Sequence, residues 1–325
     1  MKKMTLRILP LLGIILLVLG LSGGAGTAAE EVSVPVLLYH RFGPTRADSM
    51  TVTTKVFEAQ MQWLKDNGYT VIPLRTLVNY LLDKGPAPGP KSVVIVADDG
   101  HKSVYTEMLP IIRKYNYPVT LFLYPSCLSN ASYALTYEQV KELQQTGLFE
   151  VQSHTFWHPN FKRDQKRLTP AEYQKFVETQ LAKSKMVLDK RLGTHIDLLA
   201  WPFGIYDDYL EAEARKAGYV MAFSIDRRNA SKSEKLMEEP RYLMQNKPNF
   251  SKKPPLGRWA ADPCRRPAMA SGGAGAVILS YWLPSFTSGN SWCPPYLPLP
   301  ASPPRPEIED CPTAVPGPRL NIRER

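Results

Sequence analysis

Val93-Val94-Ile95-Val96-Ala97-Asp98-Asp99-Gly100 is a five-residue apolar run that stops on two carboxylates and a glycine. A short apolar run of this kind reads as a strand. Asp-Asp-Gly reads as the turn that ends it. A helical pattern from Val104 to Tyr115 comes next, so a strand hands over to a helix. Outward in both directions the alternation repeats. Upstream lie a strand at Val34 to Leu38, a helix over Lys55 to Asn67 and another over Leu74 to Leu82. Downstream come strands at Val119 to Tyr124, Phe149 to Gln152, Leu198 to Trp201 and Tyr219 to Ser224. Helical patterns separate them at Tyr137 to Gln145, Pro170 to Leu188 and Tyr206 to Ala217. Repeated strand-then-helix units predict an α/β domain with a parallel sheet. Barrel closure is its natural form, with ligands at the C-terminal ends of the strands.

The two ends of the chain read differently. Lys2, Lys3 and Arg7 precede an apolar stretch from Ile8 to Leu21 and then small residues, so 1–29 is expected to be a secretion signal, or else an uncleaved anchor. A protein so routed would be secreted or associated with the cell wall, touching a membrane only through that segment. From residue 248 periodicity fades and sixteen of the last 78 residues are proline. The segment 248–325 is expected to be a Pro-rich tail, either disordered or translated out of frame. That leaves 30–247 as the one catalytic-sized domain. The formal charge of +10 is spread as +3 over 1–29, +3 over 30–250 and +4 over 251–325. Such a balance gives no nucleic-acid footprint. Only Cys127 lies in the central domain, which excludes a disulfide framework there. A monomer is expected.

Chemistry concentrates at strand ends. His154 and His158 lie four apart in Ser153-His154-Thr155-Phe156-Trp157-His158-Pro159, directly after a strand, as Asp98 and Asp99 do. Two imidazoles and one carboxylate suffice to hold a divalent ion with a position left for water. A water so held ionises near neutral pH, and a second carboxylate beside it can take the proton. Separately, each element is a common surface pattern. Together they read as a metal-dependent hydrolase.

With these stretches in place, the chain resembles the polysaccharide deacetylases, carbohydrate esterase family 4, which carry the NodB homology domain. Val34-Pro35-Val36-Leu37-Leu38-Tyr39-His40 resembles the opening of the circularly permuted branch of that family. Asp98-Asp99-Gly100, the histidine segment and Ala200-Trp201-Pro202-Phe203-Gly204 match its next motifs in order, over roughly residues 32 to 247. The resemblance implies a distorted (β/α) barrel of about seven parallel strands. It implies Asp98 as general base and Asp99, His154 and His158 as ligands of one divalent ion, Zn2+ first and Co2+ or Ni2+ as alternatives. His40 takes the general-acid role, and Trp201, Pro202 and Phe203 line the substrate site, with the Phe203 N–H toward the oxyanion. Asp226 and Arg241 stand where charged residues tune the site. The pattern departs at Val96 and Ala97, where Thr and an aromatic are usual, and at His101. His101 and His195 read as exposed or structural residues, and Trp157 and Trp201 as either sugar platforms or core.

The implied activity is removal of N-acetyl groups from an N-acetylglucosamine-containing polysaccharide, with release of acetate. Two other readings stand beside it: a glycan-binding protein without catalysis, and an O-acetyl esterase on the same barrel.

Overall fold

The computed structural model describes residues 32–246. The signal expected at 1–29 and the tail expected at 248–325 lie outside the described residues. Seven parallel strands form one curled sheet: β1 (Val36–Tyr39), β2 (Ser92–Asp98), β3 (Val119–Leu123), β4 (Phe149–Ser153), β5 (Leu198–Ala200), β6 (Met221–Phe223) and β7 (Tyr242–Leu243). Their order is β6-β5-β4-β3-β2-β1-β7. An eighth short strand, Thr70–Val71, pairs in parallel with the start of β2.

Eight helices accompany the strands: α1 (Thr54–Asp66), α2 (Leu74–Leu81), α3 (Leu109–Tyr115), α4 (Tyr137–Gln145), α5 (Phe161–Gln165), α6 (Pro170–Glu178), α7 (Ser184–Leu192) and α8 (Asp208–Lys216). Local chemistry sets their starts. Thr136 with Gln139, and Thr169 with Glu172, form reciprocal capping boxes for α4 and α6, and Pro170 occupies the first turn of α6. No helix among the described residues is long and apolar enough to cross a membrane.

The sheet is buried on both faces. Leu37, Ile95, Leu121, Val151 and Leu199 face the helical layer, packing with residues of α1, α3, α4, α6 and α7. Val36, Leu38, Val94, Val96, Phe122, Leu198 and Phe223 face the interior, together with Leu74, Leu77, Val78 and Leu81 of α2. Arg75 of α2 reaches Glu150 and Asp197 at the beginnings of β4 and β5. This places α2 across the N-terminal end of the barrel. Polar residues accumulate at the other end.

Closure is made by a segment rather than by a full strand. Glu239 donates its N–H to Ala222 O of β6 and accepts from Ser224 N. Three residues later Tyr242 and Leu243 pair with Leu37 and Leu38 of β1. The same short stretch thus joins both edges of the sheet.

Two helices differ from the periodic expectation. The one expected over Val104 to Tyr115 opens with a π turn at Val104–Met108 before α3. The one expected over Pro170 to Leu188 reaches Leu192 and is interrupted by a π turn at Thr179–Lys183. A π turn inserts one residue and rotates the helix beyond it. Across it, Gln180 accepts the Trp157 N–H at 3.1 Å and Ser184 donates to Thr155 O at 2.8 Å. Both contacts hold the loop that carries the histidines.

Candidate active site

The register builds the site before any side chain is considered. Tyr39 pairs with Ala97, so His40 emerges beside Asp98 at the strands' C-terminal ends. Asp98 pairs with Phe122, and Leu123 with Ser153, which brings His154 to the same level. Asp98 follows the inward parity of Val94 and Val96. Asp99 breaks that parity because its φ is +73°, which turns the next carboxylate over the barrel mouth.

Three further non-glycine residues with positive φ lie here: Thr155 at +66°, His158 at +58° and Phe203 at +56°. The left-handed region is costly for residues with a Cβ, and above all for a β-branched threonine. The surrounding contacts keep the loop in place: Thr155 N–H donates to Ser153 Oγ, and His158 N–H to Thr155 Oγ1. Gly204 is needed after Phe203, since its φ is +63° and a Cβ there would lie 2.5 Å from Ile225 Cγ1.

Asp99 Oδ1 stands 3.5 Å from His154 Nε2 and 3.5 Å from His158 Nε2. Those separations exceed ordinary N–H···O hydrogen bonds. They match the spacing, about 3.4 Å, of neighbouring ligand atoms around one tetrahedral ion with bonds near 2.1 Å. Asp99 Oδ1 is buried with no hydrogen-bond partner. His154 Nδ1 lies 2.8 Å from Ala200 O, an arrangement that places its proton on Nδ1 and leaves Nε2 as a lone pair. Among the described residues, Asp99, His154 and His158 are the group able to hold a metal ion.

Electrostatics couple the same atoms. Burial alone would raise the Asp99 carboxyl, but its contact with His154 and the fields of His158 and His40 hold it well below the usual carboxylate range. Burial pushes His158 down to about 4, helped by His154 and His40 and opposed by Asp99. A neutral imidazole is the form that ligates. Burial also lowers His154, but Asp98 and Asp99 outweigh it and raise the group above its ordinary value.

Asp98 is engaged from behind. Arg241 Nη1 and Nη2 donate to its two carboxylate oxygens, each at 2.9 Å, and Arg241 is fully buried. Asp98 Oδ2 remains 3.8 Å from His154 Nε2. A bidentate guanidinium fixes the carboxylate plane as well as its position. His40 has a buried Nδ1 with no partner. Burial lowers its pKa, against the opposing fields of Asp99 and Asp98.

The structure thus brings together Asp98, Asp99, His40, His154, His158 and Arg241, and adds Phe203, whose ring meets His158 edge-on at 4.6 Å. Two expected substrate residues do not belong with them. Trp201 is fully buried; its Nε1 donates to Met237 O and its ring packs on Phe161, so it is a core residue. Pro202 is buried as well, shaping the turn that presents Phe203. Asp226 accepts from Tyr206 and Ser224 and makes no direct contact with Asp98. It is tied to the site only through Ser224, whose carbonyl receives Arg241 Nε. His101 packs against Tyr133 and bonds Ser103.

Sequence reasoning passed over Tyr124, whose ring stands 5.5 Å from His158 and whose hydroxyl bonds that of Tyr133 at 2.8 Å. Its signal was present, since it comes after a strand as Asp99 does. Gln180 and Ser184 were also passed over, and no sequence signal marks a π turn.

Comparison with known proteins agrees with this geometry. A family model described as polysaccharide deacetylase matches residues 85–222. YxkH of Bacillus subtilis (strain 168), whose name places it among the polysaccharide deacetylases, is 31% identical over 206 residues, 63% of this chain and 69% of that protein. The poly-β-1,6-N-acetyl-D-glucosamine N-deacetylase of Staphylococcus epidermidis is 26% identical over 235 residues, covering 67% of this chain and 81% of its own. Among solved structures, the Streptococcus pyogenes deacetylase PplD in complex with acetate superposes with a TM-score of 0.60 at 26% identity, over 68% of this chain and 95% of that one.

Proposed function

Because the chain belongs to the polysaccharide deacetylase family, we propose that it removes N-acetyl groups from an N-acetylglucosamine-containing polysaccharide, with one divalent ion, Zn2+ first, held by Asp99, His154 and His158. The observation that carries this reading is the convergence of three ligand atoms beside a separately held carboxylate. When bound, such an ion makes a water acidic near neutral pH and polarises a carbonyl oxygen.

The remaining work falls to the chain. Asp98, unable to swing because Arg241 grips both oxygens, accepts the proton of the attacking water. The Phe203 N–H, presented by its left-handed backbone, steadies the oxygen of the tetrahedral intermediate. His40 gives a proton to the departing nitrogen, which would otherwise leave as a poor amide anion. Burial lowers the pKa of His40, so it takes up a solvent proton before it acts, and the proton collected by Asp98 returns to solvent as acetate leaves. Acetate and a glucosamine unit are the products. Residues 1–29 support export, so the site of action proposed is the cell wall or beyond.

The test is acetate release by the purified full chain from poly-N-acetylglucosamine, chitin oligomers and peptidoglycan, with zinc and with a chelator. Zinc-dependent acetate with matching free amines supports the reading. Acetate from O-acetyl esters alone, or none from any glycan, sinks it.

A further inference from the structure

Immediately after the second metal-site histidine the chain reads Asn160-Phe161-Lys162-Arg163-Asp164-Gln165-Lys166-Arg167, four cations and one acid within six residues. Helix α5 carries the first part of this run directly after the histidine loop, and Lys166 and Arg167 follow in the turn beyond it. Its buried Phe161 packs on Phe176 and on Trp201 at the end of β5, while Lys162, Arg163, Lys166 and Arg167 are exposed. Lys183 adds a fifth cation, its Nζ 4.4 Å from the ring centroid of Phe156, next to the half-exposed Trp157.

These cations have almost no internal counter-charge. Among the described residues Arg163 meets Asp164 at 3.5 Å, and Lys162, Lys166, Arg167 and Lys183 face no acid. Elsewhere Lys114, Lys216 and Lys235 each pair with a glutamate at 2.6 Å, while single exposed cations such as Lys84 and Lys141 stand apart; five cations gathered beside the histidine loop set this stretch apart. The net +3 of the whole 30–250 segment conceals this concentration.

A positive rim bears on which polymer can be processed. Deacetylation turns each neutral acetamide into an ammonium, so a polymer of N-acetylglucosamine alone becomes a polycation as it is consumed. Within a Debye length of about 8 Å the rim would repel it. A glycan with fixed negative groups between its acetamido sugars is attracted before and after each cleavage. We infer that Lys162, Arg163, Lys166, Arg167 and Lys183 form a binding rim for an anionic glycan, one that carries carboxylate or phosphate groups alongside N-acetylglucosamine. The identity of the ligand as a glycan rests on the deacetylase reading above.

The experiment measures affinity, independently of turnover. The full-length zinc-loaded protein is titrated with a neutral chitin oligomer, with peptidoglycan oligomers bearing carboxylates, and with a polyol-phosphate polymer bearing N-acetylglucosamine. At low salt, at least one anionic ligand is expected to bind about tenfold tighter than the neutral one. The tighter of the two identifies the anionic group. The advantage should vanish in about 0.5 M salt, where screening is nearly complete. It should also vanish in a K162E/K166E variant. Equal affinities at low salt would overturn the inference, as would an advantage that survives charge reversal or stronger binding to anionic lipid vesicles than to either glycan. The salt series uses the unaltered chain, so it stands even if the variant misfolds. Acetate is assayed in the same samples: selective binding without acetate would defeat the deacetylase reading while leaving the rim in place.

Discussion

At the N-terminal end of the barrel, Arg75 bonds both oxygens of Asp197 and one of Glu150, while Gln152 accepts from the N–H groups of Asp197 and Leu198 and donates to Glu150. At the opposite end of the same strands, Asp99 Oδ1 and His40 Nδ1 are buried without partners, and Asp99, Thr155, His158 and Phe203 have left-handed backbones. Both layers place ionisable groups inside one fold. The lower layer satisfies itself and acts as structure. The upper layer leaves donor atoms converging on one point and spends conformational strain to do so, which is the behaviour of a site built for a ligand.

The largest expected effect breaks the upper layer alone. His154→Ala should lose stoichiometric zinc, measured by metal analysis after dialysis, and bring acetate release to background. Asp98→Asn should retain zinc yet lower kcat by about a hundred- to ten-thousand-fold, the range typical of a general base. An Asp98→Asn enzyme with full activity would remove Asp98 from the mechanism.

Glu239 sharpens the contrast, because it is a buried carboxyl whose two oxygens lack partners although it lies in the closing segment. Burial, with the field of Glu234, pushes its pKa up to about 8. In the folded chain the group therefore holds its proton up to that pH, whereas in the unfolded chain it releases it from about 4.5 upward. The unfolded state then binds fewer protons across that window, so stability is full below it and falls as pH rises toward 8. Glu239→Gln should flatten this decline by a few kcal/mol or less, read from denaturation midpoints at pH 5 and pH 8. Here an orphaned group is completed by a proton instead of a metal.

The smallest effect on chemistry belongs to the lower layer. Arg75→Met leaves two acids without their cation. It should cost about 1–3 kcal/mol of stability, less than a fully buried pair because Arg75 is partly exposed. Acetate release per folded molecule should stay within about twofold, since no part of the upper layer moves. Loss of turnover in this variant, with the fold intact, would end the division between the two layers.

The alternation of Val93–Ala97 with the helix after it, repeated along the chain, carries the parallel sheet, because strands buried on both faces and amphipathic helices are local patterns. Asp98, Asp99, His154 and His158 were legible for a related reason: each lies at the end of a strand, and parallel strands bring their ends together. Three kinds of feature were not legible. Trp201 and Pro202 sit in a motif beside the site, yet the motif gives no sign of which side chain turns inward. The π turn at Thr179–Lys183 depends on tertiary contacts with the histidine loop. The resemblance marked Arg241 as a residue tuning the site, but its pairing with Asp98 spans 143 residues and nothing local announces that partner.

That pairing has a consequence for how the protein is made. β1, which leads directly to His40, joins its second neighbour only when Tyr242 and Leu243 have arrived, and Arg241 comes in with them. The first core strand therefore keeps one edge open until the last arrives, and Asp98 stays without its guanidinium until then. A nascent chain halted before residue 241 would have every proposed metal ligand but a base free to wander. Catalytic competence is in this sense a certificate of completed synthesis through Met244, issued by the same stretch that joins the two edges of the sheet.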